Sequence, residues 1–249
     1  MIKLENYEVF GWYYAIRGMR NPMNSWGKSD SNYRTIIGSR CDNCWSYENE
    51  TWEDCDDCEV TKIVEAAPPG FMVGPNDHSL MMKLRNAGTD HRKFIRMIIV
   101  YVDITAPLYW WKEFDTYKVG TVANSCSTMH KIAVKEFTIE DFSTEHLIPE
   151  SIDILKLVIN ELNKSRKSYM AVKADAVSNY DYTTKDYWWQ MIQLLPSSYN
   201  QKRTVMLNYE VLANMYKSRK NHKLDEWVEF CKWIETLPYS ELITGKDQK

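Results

Sequence analysis

The chain has 249 residues, 44% of them hydrophobic and 26% charged, with a formal net charge of −3. That length buries a core without disulfide or metal staples, and a pI near 6.0 excludes a general nucleic-acid binder, since any basic surface would have to be local. No run reaches the roughly 18–20 apolar residues of a membrane span, and MIKLENYEVFGW lacks the basic-then-apolar order of a leader, so a cytoplasmic protein without membrane contact is expected. Ten Trp and sixteen Tyr suit either a stacking or oligomer surface or an aromatic core.

Residues 7–16 read as a strand running into a helix, and 17–34 as a loop carrying Arg17, Arg20, Asn21, Ser25, Lys28, Ser29 and Arg34 among Gly and Pro. Such a loop suits an anion or is simply solvated. Cys41, Cys44, Cys55 and Cys58 follow with the spacing C-x2-C-x10-C-x2-C. Two such knuckles can set four thiolates tetrahedrally around one structural zinc, giving an inserted knuckle over about 38–62; the alternative is cysteines without metal. The acidic residues around them repel a phosphate backbone.

AAPPGFMVGPN is a connector, and Asn76 or Asp77 is expected to cap a helix over HSLMMKLRNAG. His91, Arg92, Lys93 and Arg96 could serve an anion or form a solvated face. IRMIIVYVDI reads as a buried strand, or as a helix running into one, stopped by Pro107. Residues 103–131, DITAPLYWWKEFDTYKVGTVANSCSTMHK, concentrate hydroxyl, amide and aromatic side chains, and a ligand is expected here. Lys118, Thr121, Asn124, Ser125, Ser127 and His130 supply donors for a phosphate and a pyrimidine edge. Gly120 permits close backbone approach, and Trp110, Trp111 and Tyr117 offer flat faces. Helices are expected over about 151–164, 184–195, 203–219 and 223–237, with Cys231 in the core. No phosphate loop, G-x-G-x-x-G or H-E-x-x-H motif occurs.

Two blocks resemble the flavin-dependent thymidylate synthases, over about residues 70–240. Ala106-Pro107 stand where that family's strand ends in A-P, Tyr117–Thr121 lie on H-R-x-x-S with Lys118 and Thr121 for Arg and Ser, and Asn124 and Ser127 match N-x-x-S. The family's first Arg, its His and the Glu after Asn are replaced by Thr116, Tyr117 and Ser125, and its last Arg falls on Met129 or His130. In the second block Leu195-Pro196, Asn208, Leu212, Asn214 and Arg219 keep the family's offsets, with Glu210 where it has Arg. Asn208 and Asn214 are about 240° apart on a helix, whereas Asn208, Leu212, Met215 and Arg219 share a line.

The resemblance implies an α+β fold with a mixed sheet and long helices, a single domain over 1–249, and a homo-oligomer (a tetramer) with sites at subunit interfaces. It implies FAD held by Asn208, Asn214 and Lys118, a pyrimidine deoxynucleotide such as dUMP held by Thr121, Asn124, Ser127 and Arg219, with Lys118 also close to the nucleotide, and methylene-tetrahydrofolate and NADPH as co-substrates of a reductive methylation. The cysteine knuckle has no counterpart in that family. Two alternatives stay open: a nucleotide-binding or DNA-modification protein that keeps the fold without thymidylate synthesis, and a zinc-knuckle interaction protein.

Overall fold

The computed structural model describes residues 2–33, 71–174 and 181–245. The four cysteines expected to hold zinc lie outside the described residues. The chain divides into two units, Gly11–Met97 and the remainder, Met1–Phe10 with Ile98–Lys249.

The larger unit begins with β1 (Lys3–Phe10) and the smaller with α1 (Trp12–Arg20), as the strand-into-helix pattern of residues 7–16 implies. In the smaller unit β2 (Asn32–Tyr33) pairs antiparallel with β3 (Phe71–Met72), and α2 (Pro75–Asn86) follows. Trp12, Ala15, Ile16, Met19, Val73, Met81, Phe94 and Ile95 are its buried apolar residues among those described. Gly74, not Asn76 or Asp77, is the N-cap residue of α2. Asp77 sits one turn inside, fully buried, where it accepts from Arg20 Nε at 2.6 Å, Ser29 Oγ at 2.6 Å and Ser31 Oγ at 2.6 Å. Burial pushes the Asp77 carboxyl up, but those hydrogen bonds and the Arg20 charge together hold it below its ordinary value. Asp30 takes over the capping, accepting from the N–H groups of Asn76 at 2.8 Å and Asp77 at 3.0 Å. Thus Arg20 and Ser29, two polar residues of the expected anion loop, are occupied by an internal carboxylate.

The larger unit continues with β4 (Ile99–Pro107), α3 (Leu108–Phe114), β5 (Val122–Ser125), the single turn α4 (Thr128–Lys131) and the long α5 (Pro149–Ala174). After them come α6 (Thr184–Leu194), β6 (Asn200–Asn208), α7 (Tyr209–Arg219), α8 (Asp225–Glu235) and the short α9 (Glu241–Thr244). The four-stranded sheet runs β1-β4-β6-β5 with every neighbouring pair antiparallel, so the described sheet is not the mixed one expected. Alternation along β4 and β6 buries Val100, Val102, Ile104, Ala106, Val205 and Leu207, while Tyr101, Asp103, Lys202 and Thr204 lie on the other face. There Thr204 Oγ1 at 2.6 Å, Asn6 Nδ2 at 3.2 Å and Lys202 Nζ at 3.1 Å hold the Asp103 carboxyl down to about 2.

Residues 203–208 are a strand and not the first turns of a helix. The two-residue period of burial along them fills the gap between β4 and β5, and nine ladder pairs with β4 outweigh the helical spacing that continues into α7. A second cluster, Ile132, Phe137, Phe142, Leu155, Ile159, Leu162 and Met191, lies beneath the α5–α6 hairpin. Cys231 is buried, as expected, and burial pushes its thiol up to about 11. No helix among the described residues is long and apolar enough to cross a membrane.

Candidate functional site

Pro107 ends β4, and α3 turns the chain back under the sheet because three of its seven residues are large rings that become buried. Trp110, Trp111 and Phe114 are all but fully buried; Trp110 and Phe114 meet Trp227 and Phe230 of α8, with Trp110 4.8 Å from Trp227 between ring centroids, and Trp111 packs on Trp110 and Phe114. Trp111 Nε1 also donates to the Gln201 carbonyl at 3.0 Å. Neither tryptophan is therefore free to stack on a ligand, contrary to expectation: a core position wins because each ring buries a large apolar area there.

The turn after α3 carries the first matched residues. The Thr121 hydroxyl donates to the Tyr117 carbonyl, Lys118 is exposed, and Gly120 adopts φ +81. A Cβ on Gly120 would lie 2.9 Å from Asn208 Nδ2 and 3.0 Å from Val211 Cγ2, so the absence of a side chain lets the turn rest directly on the start of α7. Asn208 is the N-cap of α7: its Oδ1 accepts from Val211 N–H at 3.0 Å. Glu210 is buried in the first turn of the same helix, where the helix dipole favours a carboxylate. Asn214 is exposed midway along α7.

At the far end of α7, Arg219 is held on several sides. Its Nη1 donates to Glu113 Oε2 at 2.7 Å and its Nε to the Tyr117 hydroxyl at 3.0 Å, and His222 Nε2 lies 2.9 Å from Nη1. Trp227 places its ring 4.9 Å from the guanidinium carbon and donates its indole N–H to the same Glu113 oxygen at 3.0 Å. Nothing local in the sequence announces the Glu113–Arg219 pair, because its partners are 106 residues apart.

The remaining matched residues follow β5, which is the sheet edge and exposes all four of its residues. Asn124 pairs with Thr204. Beyond it, Cys126 N–H donates to the Lys202 carbonyl at 2.9 Å, and Gln201 Nε2 donates to the Cys126 carbonyl at 2.9 Å. Arg203 completes this edge, stacking 4.1 Å over Trp111 and donating to Asp115 Oδ1 at 2.8 Å. Ser127 caps α4, its hydroxyl accepting from His130 N–H at 3.0 Å. A cavity of about 330 Å³ opens beside this turn, lined by Met129, His130, Ile132, Ala133, Tyr169, Thr184, Lys185 and Trp188. Trp188 is fixed there by donating its indole N–H to the Met129 carbonyl at 2.8 Å. Of these lining residues Met129 and His130 fall in the matched block of the sequence; Tyr169, Lys185 and Trp188 come from helices with no motif of their own.

The structure thus brings Gly120, in the turn that carries Lys118 and Thr121, to Asn208, and Tyr117 to Arg219. It does not gather all the matched residues into one pocket of a single chain. The Ser127 end pairs near Lys202, about 20 Å along β6 from Asn208 at strand rise, and Arg219 stands about 16 Å from Asn208 at helical rise. Among the described residues no group of three or more His, Cys, Asp or Glu side chains is placed to hold a metal.

These elements define an α+β protein whose antiparallel sheet carries a row of amide, hydroxyl and cationic groups along one edge. No protein-family model matches the sequence, and a search of curated proteins finds none that matches. Solved structures of similar fold include thymidylate synthase X from Helicobacter pylori with FAD and dUMP, at TM-score 0.57, 13% identity and 98% coverage of each chain. A second structure, of the flavin-dependent thymidylate synthase of the same organism with FAD and dUMP, gives TM-score 0.55, 13% identity and 98% coverage of each chain. The chain shares the fold of these enzymes, as the two sequence blocks imply.

Proposed function

We propose that this chain binds a pyrimidine deoxynucleotide of the dUMP type, with FAD as cofactor, as a divergent protein of the flavin-dependent thymidylate synthase fold. The observation that carries the nucleotide part is the cleft beside Ser127. Tyr169 and Trp188 offer it aromatic faces for a planar base, His130 and Lys185 offer donors for an anion, and no carboxylate is among its described lining residues. In this proposal Thr121, Asn124, Ser127 and Arg219 contact the nucleotide, and Lys118, Asn208 and Asn214 the flavin.

The donor set suits a flavin in kind. Lys118 is an exposed cation on a glycine turn, Asn214 presents an exposed amide, and the Glu210 carboxylate is buried instead of facing them. A bound flavin would supply the hydride chemistry, and the chain's share is positioning and charge. Methylene-tetrahydrofolate, NADPH and assembly into a homo-oligomer, a tetramer, belong to the same proposal; the separation of the matched residues within one chain favours a site completed by neighbouring copies.

The absorbance spectrum of the purified chain, before and after mixing with FAD, tests the cofactor. Flavin bands that stay with the protein through gel filtration are expected; a colourless protein after mixing would count against FAD. A second reading, retention of the fold without thymidylate synthesis, is favoured by the pairing of Arg219 with Glu113. Under it the protein is colourless yet binds dUMP.

A further inference from the structure

The 26-residue helix α5, about 39 Å long at helical rise, has two unlike faces. Leu155, Ile159, Leu162 and Ser165 are its buried side. About half a turn away runs the row Glu150, Asp153, Leu157, Asn160, Lys164 and Lys167, spaced alternately three and four residues, and all six are exposed. Ile154, 63% exposed, borders the row beside Leu157, which is 68% exposed. Two large aliphatic side chains thus stand in water on a helix whose core side is already filled. The charges around them are ordered: both acids of the row precede Leu157 and both bases follow Asn160. An antiparallel copy of the same helix, related by a two-fold axis level with the Val158–Ile159 step, sets Glu150 opposite Lys167, Asp153 opposite Lys164 and Leu157 opposite Asn160. The Leu157 and Ile154 side chains of both copies then run together along one side of the seam, between its charged ends. A parallel pair would instead set acid on acid and base on base. Within one copy Asp153 meets Lys156 at 3.0 Å and Lys164 meets Glu161 at 3.2 Å, both as exposed pairs. Such surface pairs are weak and leave both groups open to a charge from outside.

We propose that this face of α5 is where a second copy of the chain docks, helix against antiparallel helix. The charges set direction and register, and Ile154 and Leu157 exclude water between them. The inference rests on the homo-oligomer proposed above for there being a partner copy, and adds to it the face, the direction and the register.

Sedimentation of the full chain at low ionic strength, where exposed charges are least screened, tests it with two charge variants. In Lys164→Glu/Lys167→Glu the row carries four acids, and in Glu150→Lys/Asp153→Lys four bases. Each alone opposes like charges across the seam, and is expected to fall to half the wild-type mass or to need at least about tenfold more protein to reach it. An equimolar mixture of the two restores acid facing base along the row, so the wild-type mass is expected to return, with one tagged variant retaining the other in equal amount. That recovery also shows both variants to be folded. Leu157→Asn leaves every charge in place and is expected to weaken association at least about tenfold; should a charge variant fail to fold, Leu157→Asn decides alone. Wild-type mass and affinity in the charge variants or in Leu157→Asn overturns the inference, as does a mixture of natively folded charge variants that does not recover. An oligomer indifferent to all these changes leaves the homo-oligomer standing and removes only α5 from it. A wild-type chain that stays a monomer to about 100 μM overturns both. The nucleotide proposal is judged apart from either, by titration of the wild type with dUMP at whatever mass it has.

Discussion

Among the described residues Gly120 and Asp77 are each tightly constrained, for different reasons. Gly120 combines a left-handed backbone with a close approach to Asn208 and Val211. Gly120→Ala therefore adds strain and a contact together, and a loss of about 1–3 kcal/mol in stability is expected by denaturant titration; an unchanged midpoint would mean that the turn does not rest on α7. Asp77 is the buried hub of the smaller unit, and its folded pKa lies below the ordinary value of 3.8. A depressed carboxyl adds stability that is fully present above the unfolded pKa and is lost as pH falls through the folded one. Asp77→Asn, which strips the charge from Arg20's buried partner, is expected to cost about 3–5 kcal/mol at neutral pH. The gap from wild type should narrow below about pH 4. A gap independent of pH down to acid unfolding would contradict this role. Neither residue's part is readable from sequence: Gly120 stands out as a glycine, but the helix start it touches is 88 positions away, and Asp77 is indistinguishable from a surface cap until Arg20, Ser29 and Ser31 are folded around it.

Elements were legible where one period ran long enough. The strand expected within IRMIIVYVDI, observed at Ile99–Pro107, and the helices around 184–195 and 223–237 follow from their apolar spacing and stops, whereas the helix expected over 151–164 runs ten residues further, to Ala174. The stretch 203–219 combines two periods. TVML alternates as a strand, EVLANMYK repeats as a helix, and the junction at Asn208 acts as a helix N-cap, which the helical spacing alone concealed. The cysteine knuckle over about 38–62 remains a proposal: Cys41, Cys44, Cys55 and Cys58 are proposed to bind one structural zinc. Metal analysis of freshly reduced protein should return one zinc per chain, removable by a strong chelator together with the thermal stability that the site contributes. Protein free of zinc after purification without chelator would refute the assignment.

At the scale of the molecule, fold was more legible than site. The A-P stop after a buried strand and the spacing of Leu195-Pro196, Asn208, Leu212, Asn214 and Arg219 fixed an order of elements, and that order matches the architecture shared with the Helicobacter pylori enzyme. The chemistry was less legible because it depends on long-range partners. The aromatic pair Trp110 and Trp111 went to the core, Arg219 acquired Glu113 from α3, and the cleft beside Ser127 is completed by helix residues with no motif. What is proposed for the whole chain, nucleotide binding at this cleft, is tested most directly by equilibrium titration of the intact protein with dUMP followed by tryptophan fluorescence. Saturable binding is expected, weakened at least about tenfold in Lys185→Gln and with most of its signal lost in Trp188→Phe. No saturable response up to about millimolar dUMP, or binding indifferent to both substitutions, would contradict the assignment.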